Sequence, residues 1–239
     1  MDNYFEDSVT RSQQRQYEAS GRARVFMQRV FTIMAFGLGI TAMTAWYFGN
    51  NVESFPWLFT SPWYYIVMFA PLGFVLALSF GIHKMSYTTA NIVFAVYAMV
   101  MGMSLSFIFV AYSLGTIFQT FFVTAGTFGA MALIGATTKI DLSKYSSYLF
   151  MALIGLIIAS VVNMFLGSTV LEWIVSFAGV LIFSGLTAYD TQRLIQIGAH
   201  SDIEDENIQK AGLMGALALY LDFINLFLFL LRIFGGSRD

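Results

Sequence analysis

Seven long apolar runs govern what this chain can become. They lie at roughly 26–49, 62–82, 88–112, 116–138, 147–167, 172–197 and 209–234 of 239 residues. A helix needs about 20 predominantly apolar residues to cross the hydrocarbon of a bilayer. Each run is long enough, so the sequence predicts seven membrane-spanning helices. A β-barrel is excluded, because barrel strands alternate in about ten-residue segments and are not continuously apolar. The composition agrees: 58% of residues are hydrophobic and only 11% charged, where soluble domains carry about 25% charged residues. The expected class is an all-α, polytopic membrane protein whose chief partner is the lipid bilayer.

The ends and loops predict an orientation. Residues 1–25 are polar and mixed in charge, and are expected to form a loosely ordered cytoplasmic tail ahead of a transmembrane domain over 26–236. The first apolar run is too long for the core of a cleavable signal peptide. With the N-terminus inside, the tail and the start of the first span contribute Arg11, Arg15, Arg22, Arg24 and Arg29. The inner loops and helix ends add Lys84, Lys139, Lys144, Arg193 and Lys210. That places ten of the 12 basic residues inside, with Arg232 and Arg238 outside. The positive-inside rule favours this arrangement, with an external C-terminus.

Several functions are excluded or left without support. A net charge of −2 argues against a nucleic-acid partner, and the absence of cysteine removes disulfides, thiolate catalysis and Cys metal sites. No HExxH, GxSxG, P-loop or GxGxxG motif is present. The acidic stretch DIEDE, residues 202–206, lacks the spacing of an EF-hand and reads as a solvated turn. No cofactor is expected. Small residues four apart (Gly102 with Ser106, Ala125 with Gly129, Gly155 with Ala159) predict close helix contacts. The pentapeptide MALIG occurs at 131–135 and again at 151–155.

Charges inside the spans are few: Asp190, Arg193 and Asp222. A charge at mid-bilayer costs a few kcal/mol, so such groups face protein or water, pair with one another, or stay neutral. Asp222 shares a helix face with Ala218, Asn225 and Leu226. If the sixth helix ends at Gly198, a natural C-cap, Asp190 lies about 12 Å inside it, and Asp222 about 16 Å inside the seventh, at 1.5 Å per residue. The two carboxylates then fall at similar depth on consecutive helices. Two acids close together in low dielectric cannot both ionise freely, and they share a proton over some pH range. Such a pair is a proton switch, a cation site or an acid–base dyad. The alternatives are a neutral, hydrogen-bonded Asp222 and an Asp190 paired with Arg193 one turn on. His83 and Lys84 end the second span on the same side and are candidate cations facing the acids.

The stretches SGLTAYDTQRL (184–194) and LYLDFINLFLFLLRIFG (219–235) resemble the Bax inhibitor-1, or transmembrane Bax inhibitor motif, family, over about residues 25–236. The chain looks most like bacterial, inner-membrane members. The resemblance implies a seven-helix bundle with six helices around the last. It implies a pH-sensitive calcium leak whose sensor is the aspartate pair, here Asp190 and Asp222. Calcium would then be the transported ion, held weakly by these carboxylates with help from Asn225. Some members place an arginine near the end of the second helix to hold the closed state; here His83 and Lys84 occupy that region. Two other readings remain: a proton-coupled exchanger, or a non-conducting regulator acting through membrane-protein partners. An acid on each of two neighbouring helices also resembles presenilin-type proteases. The glycines those enzymes place before the second acid are replaced here by Leu219, Tyr220 and Leu221, and their PAL motif is missing.

Overall fold

A computed structural model describes residues 2–60 and 62–235, with side chains from Tyr17 onward except Thr60 and Tyr64. Seven long helices carry the chain: α1 (Asp2–Asn50), α2 (Trp63–Gly81), α3 (Tyr87–Leu105), α4 (Leu114–Thr137), α5 (Ser146–Leu166), α6 (Thr169–His200) and α7 (Glu206–Phe234). All seven contain windows long and apolar enough to span a membrane, and there is no strand among the described residues. The expected boundaries hold to within about three residues at most ends, and the external orientation of Arg238 concerns a residue outside those described. The beginning of the chain differs. α1 starts at Asp2, where a loosely ordered tail was expected. Its first 25 residues contain Gly21 as the single helix breaker and no proline, and they are rich in Gln, Glu, Arg and Ala, which favour helix.

Polar residues punctuate the helices. Ser86, Ser113, Ser168 and Asp205 cap α3, α4, α6 and α7, each accepting a hydrogen bond from a backbone N–H of the first turn. These bonds satisfy donors that a helix start leaves open. Gly167 closes α5 at φ 59°, a left-handed conformation that costs glycine nothing, and turns the chain directly into α6. α6 does not stop at Gly198. It runs on to His200, and Gly198 lies buried where Phe26 of α1 leaves no room for a larger side chain.

α7 is the axis of the bundle. It packs against α1, α3, α4 and α6, while α2 backs onto α3 and α5 onto α6. Fully buried side chains along it include Leu219, Tyr220 and Leu226. Rings from α3 and α4 close around it: Phe94 and Tyr97 meet Tyr220 edge-on, and Phe121 and Phe128 do the same to Phe223. Of the three expected small-residue pairs, the one at Gly102 makes the closest helix approach, while Ala125 and Ala159 pack against the core without their glycines. A side chain at Gly102 would run into the Thr41 backbone and the Thr44 side chain of α1, whereas Gly129 and Gly155 have nothing near them. Small residues permit a close approach in lipid, but an opposing helix must make use of it.

Candidate functional site: a buried carboxylate pair between the last two helices

The α6–α7 seam fixes the relation between the acids. Leu194 of α6 fills the space beside Gly215 of α7, and Phe229 of α7 fills the space beside Gly179 of α6. These contacts set an antiparallel register that brings Thr187 level with Asp222. Asp190 therefore sits about one turn, or roughly 4.5 Å along the axis, nearer the α6–α7 loop. The acids are neighbours on consecutive helices, and Asp222 is the deeper, by about the difference between the roughly 12 and 16 Å read from the sequence.

Their surroundings differ. Asp222 is 5% exposed, and its Oδ2 is buried with no hydrogen-bond partner among the described residues. Asp190 is half-buried. It is close enough to Asp222 for a direct Coulombic interaction, and Arg193 acts on it in turn. Among the described residues no ion pair within 4.0 Å joins Asp190 to Arg193, whose side chain is exposed.

The remaining candidates are spread out. Asn225 donates through Nδ2 to the Leu221 carbonyl of its own helix at 2.8 Å. His83 and Lys84 are exposed on a 3-10 turn after α2. α2 packs mainly on α3, and among the described residues neither cation forms an ion pair with the acids. Among the described residues no group of three or more His, Asp or Glu side chains gathers there, and two carboxylates fall short of the six to eight oxygen ligands that calcium takes.

The sequence reading passed over the hydroxyl groups. Thr187 and Thr191 flank Asp190 on α6 and are fully buried; Thr187 donates to the Phe183 carbonyl, while Thr191 Oγ1 has no partner among the described residues. Next to Asp222, Tyr220 and Thr41 of α1 share a hydrogen bond of 2.6 Å, and Thr41 donates onward to the Ala98 carbonyl of α3 at 2.9 Å. Because the one Thr41 proton is committed to Ala98, Tyr220 is the donor to Thr41. The run T-A-Y-D-T around Asp190 and the tyrosine two residues before Asp222 were the available signals.

The loop that joins the pair's helices is tied down. Arg29 forms an ion pair with Glu204 at 3.2 Å and also reaches the Ile203 carbonyl, and Arg22 donates to the Ala199 carbonyl. Glu206 accepts from the Tyr87 backbone N–H, fixing the start of α7 to the start of α3. The DIEDE stretch, whose carboxylates are exposed as expected of a solvated turn, also clasps α1, α3 and α7 together. On the same end, Gln192 grips the α4–α5 loop with both ends of its amide, accepting from Leu142 N and donating to the Ile140 carbonyl, each at 2.8 Å.

A seven-helix membrane bundle with one carboxylate sealed on its central helix and a second, half-buried one on the neighbouring helix is the class these features define. Residues 23–239 match the family model described as inhibitor of apoptosis-promoting Bax1, and the chain belongs to this Bax inhibitor-1 family. It is 48% identical over 217 residues to the inner membrane protein YbhL of Escherichia coli, covering 90% of this chain and 93% of that one. It is 40% identical to an uncharacterized protein of Rickettsia prowazekii over the whole of both chains. An uncharacterized protein of Borreliella burgdorferi is 41% identical over 215 residues, 90% of this chain and 93% of its own.

Proposed function

We propose that this protein is a pH-sensitive cation leak, passing calcium, in which protonation of the Asp190–Asp222 pair gates the path. The observation that carries the reading is the sealed Asp222 carboxylate with an unpartnered oxygen, beside a second acid one turn away. A buried acid without a partner is costly, and a neighbouring charge makes its state depend on both protons. Protonation removes negative charge from the α6–α7 seam and gives Asp222 a hydroxyl to donate. Two states that differ in seam contacts are what a gate requires. In this reading the N-terminus and the α6–α7 loop face the cytoplasm, following the basic residues, and the membrane is the bacterial inner membrane, by analogy with the relative of that name. The protein acts on an ion and catalyses no covalent change.

Purified protein in calcium-loaded liposomes tests this directly. Flux is expected to vary with pH, and Asp190→Asn or Asp222→Asn should flatten that dependence. Unchanged flux and unchanged pH dependence in both variants would overturn the gate. Proton movement in fixed ratio against calcium would make the protein an exchanger. No transport in the wild-type protein, with copurifying membrane proteins, would make it a regulator.

A further inference from the structure

One cavity reaches the central helix from outside the bundle. α1 and α4 both flank α7, but between them a groove of about 420 Å³ opens sideways. Trp46 and Met43 of α1 and Phe118 of α4 form its exposed rim, and Phe223 and Ile224 of α7 form its floor. Its lining contains no charged side chain; the hydroxyl of Thr41 is already bonded to Tyr220 and Ala98, and the other polar group, the indole N–H of Trp46, sits on the rim. Every wall belongs to a spanning helix or to the short helix Phe107–Ala111 that follows α3. The groove therefore lies within the hydrocarbon, and its rim continues into the lipid-facing surface that carries Phe36 and Phe122.

We infer that this groove is a binding site for one lipid acyl chain. The interior of the groove offers a headgroup no free partner, and a polar ligand there would lose its hydrogen bonds. An unfilled apolar gap forfeits the dispersion contacts of everything that lines it. A flexible hydrocarbon chain is present at that depth in every membrane and meets protein on several sides at once. Chains on the outer face of the bundle meet it on one. The seated chain completes the wall over Phe223 and Ile224, the residues that follow Asp222 on α7. Lipid thus acts as a fifth neighbour of the central helix, beside α1, α3, α4 and α6.

The test needs no transport measurement, so its result is separable from that of the leak reading. Trp46 is made the single tryptophan by Trp57→Phe, Trp63→Phe and Trp173→Phe. A reference protein carries all four Trp→Phe changes and Phe122→Trp, which places the reporter on the open lipid face, where residue 122 is 69% exposed. Both are reconstituted with increasing fractions of phosphatidylcholine brominated at mid-chain, and fluorescence is recorded. The expected result is half-maximal quenching of Trp46 at a several-fold lower fraction of brominated lipid than for the reference. Ala42→Phe, which fills the groove from α1, should bring the two curves together. Identical curves without that change would reduce the groove to ordinary annular contact and overturn the inference. A Trp46 shielded from quenching would also overturn it, pointing to a protein partner or second copy seated in the groove.

Discussion

α5 and α7 are both strongly apolar spanning helices, yet they live in different solvents. Of its most apolar window, 67% is buried in α7 and 6% in α5. α5 carries no charged residue, whereas α7 carries Glu206, Lys210, Asp222 and Arg232. The more polar helix is the buried one. In water, hydrophobicity drives residues inside; in a bilayer lipid is as apolar as leucine, so charge and hydrogen bonding mark the interior. The two MALIG segments show the same contrast with identical residues. In α4, Ala132 and Gly135 are buried, with Gly135 against the Ala188 backbone; in α5, Gly155 has nothing beside it.

The contrast is open to direct measurement through melting temperature in detergent. The largest difference is expected between Leu226→Ala on α7 and Ile157→Ala on α5. Leu226 is fully buried and should lose about 2–5 kcal/mol through the cavity left behind. Ile157 is 55% exposed and should change stability by no more than about 0.5 kcal/mol, as for other surface sites. Equal losses would mean that α5 is held by protein contacts as firmly as α7. Next comes the glycine pair. Gly135→Ala should cost about 1–3 kcal/mol, because the added methyl strikes the Ala188 backbone. Gly155→Ala should instead stabilise, by up to about 1 kcal/mol, since alanine is the better helix former. Effects of the same sign at both positions would break the distinction. The smallest effect belongs to the clasp: Arg29→Ala removes an exposed ion pair with Glu204, worth about 0–1 kcal/mol. Its loss should shrink further in high salt.

The helices were legible because the bilayer imposes one length and one polarity on every span. The resemblance carried by 184–194 and 219–235 placed α7 at the centre, and the structure agrees. Other features depend on what stands opposite, which a single sequence does not display. Gly198 looked like a helix end, but it is a groove for Phe26. In the Ala125–Gly129 and Gly155–Ala159 spacings the alanines pack against the core, but nothing closes on the glycines. DIEDE is solvated as it looked, but its tie to Arg29, 175 residues earlier, was hidden. The acids themselves stood out by their cost in lipid. Their stagger followed from packing at Gly215 and Gly179, and the Tyr220–Thr41–Ala98 chain needed three helices to become visible.

That stagger imposes a queue. Anything travelling from the clasped loop inward along the α6–α7 seam meets the half-open acid on α6 first and the sealed one on α7 second. A carboxyl-modifying reagent applied from that end, or a proton arriving there, is received by Asp190 before Asp222. Along that seam the inner carboxylate stands behind its neighbour, sealed at 5% exposure.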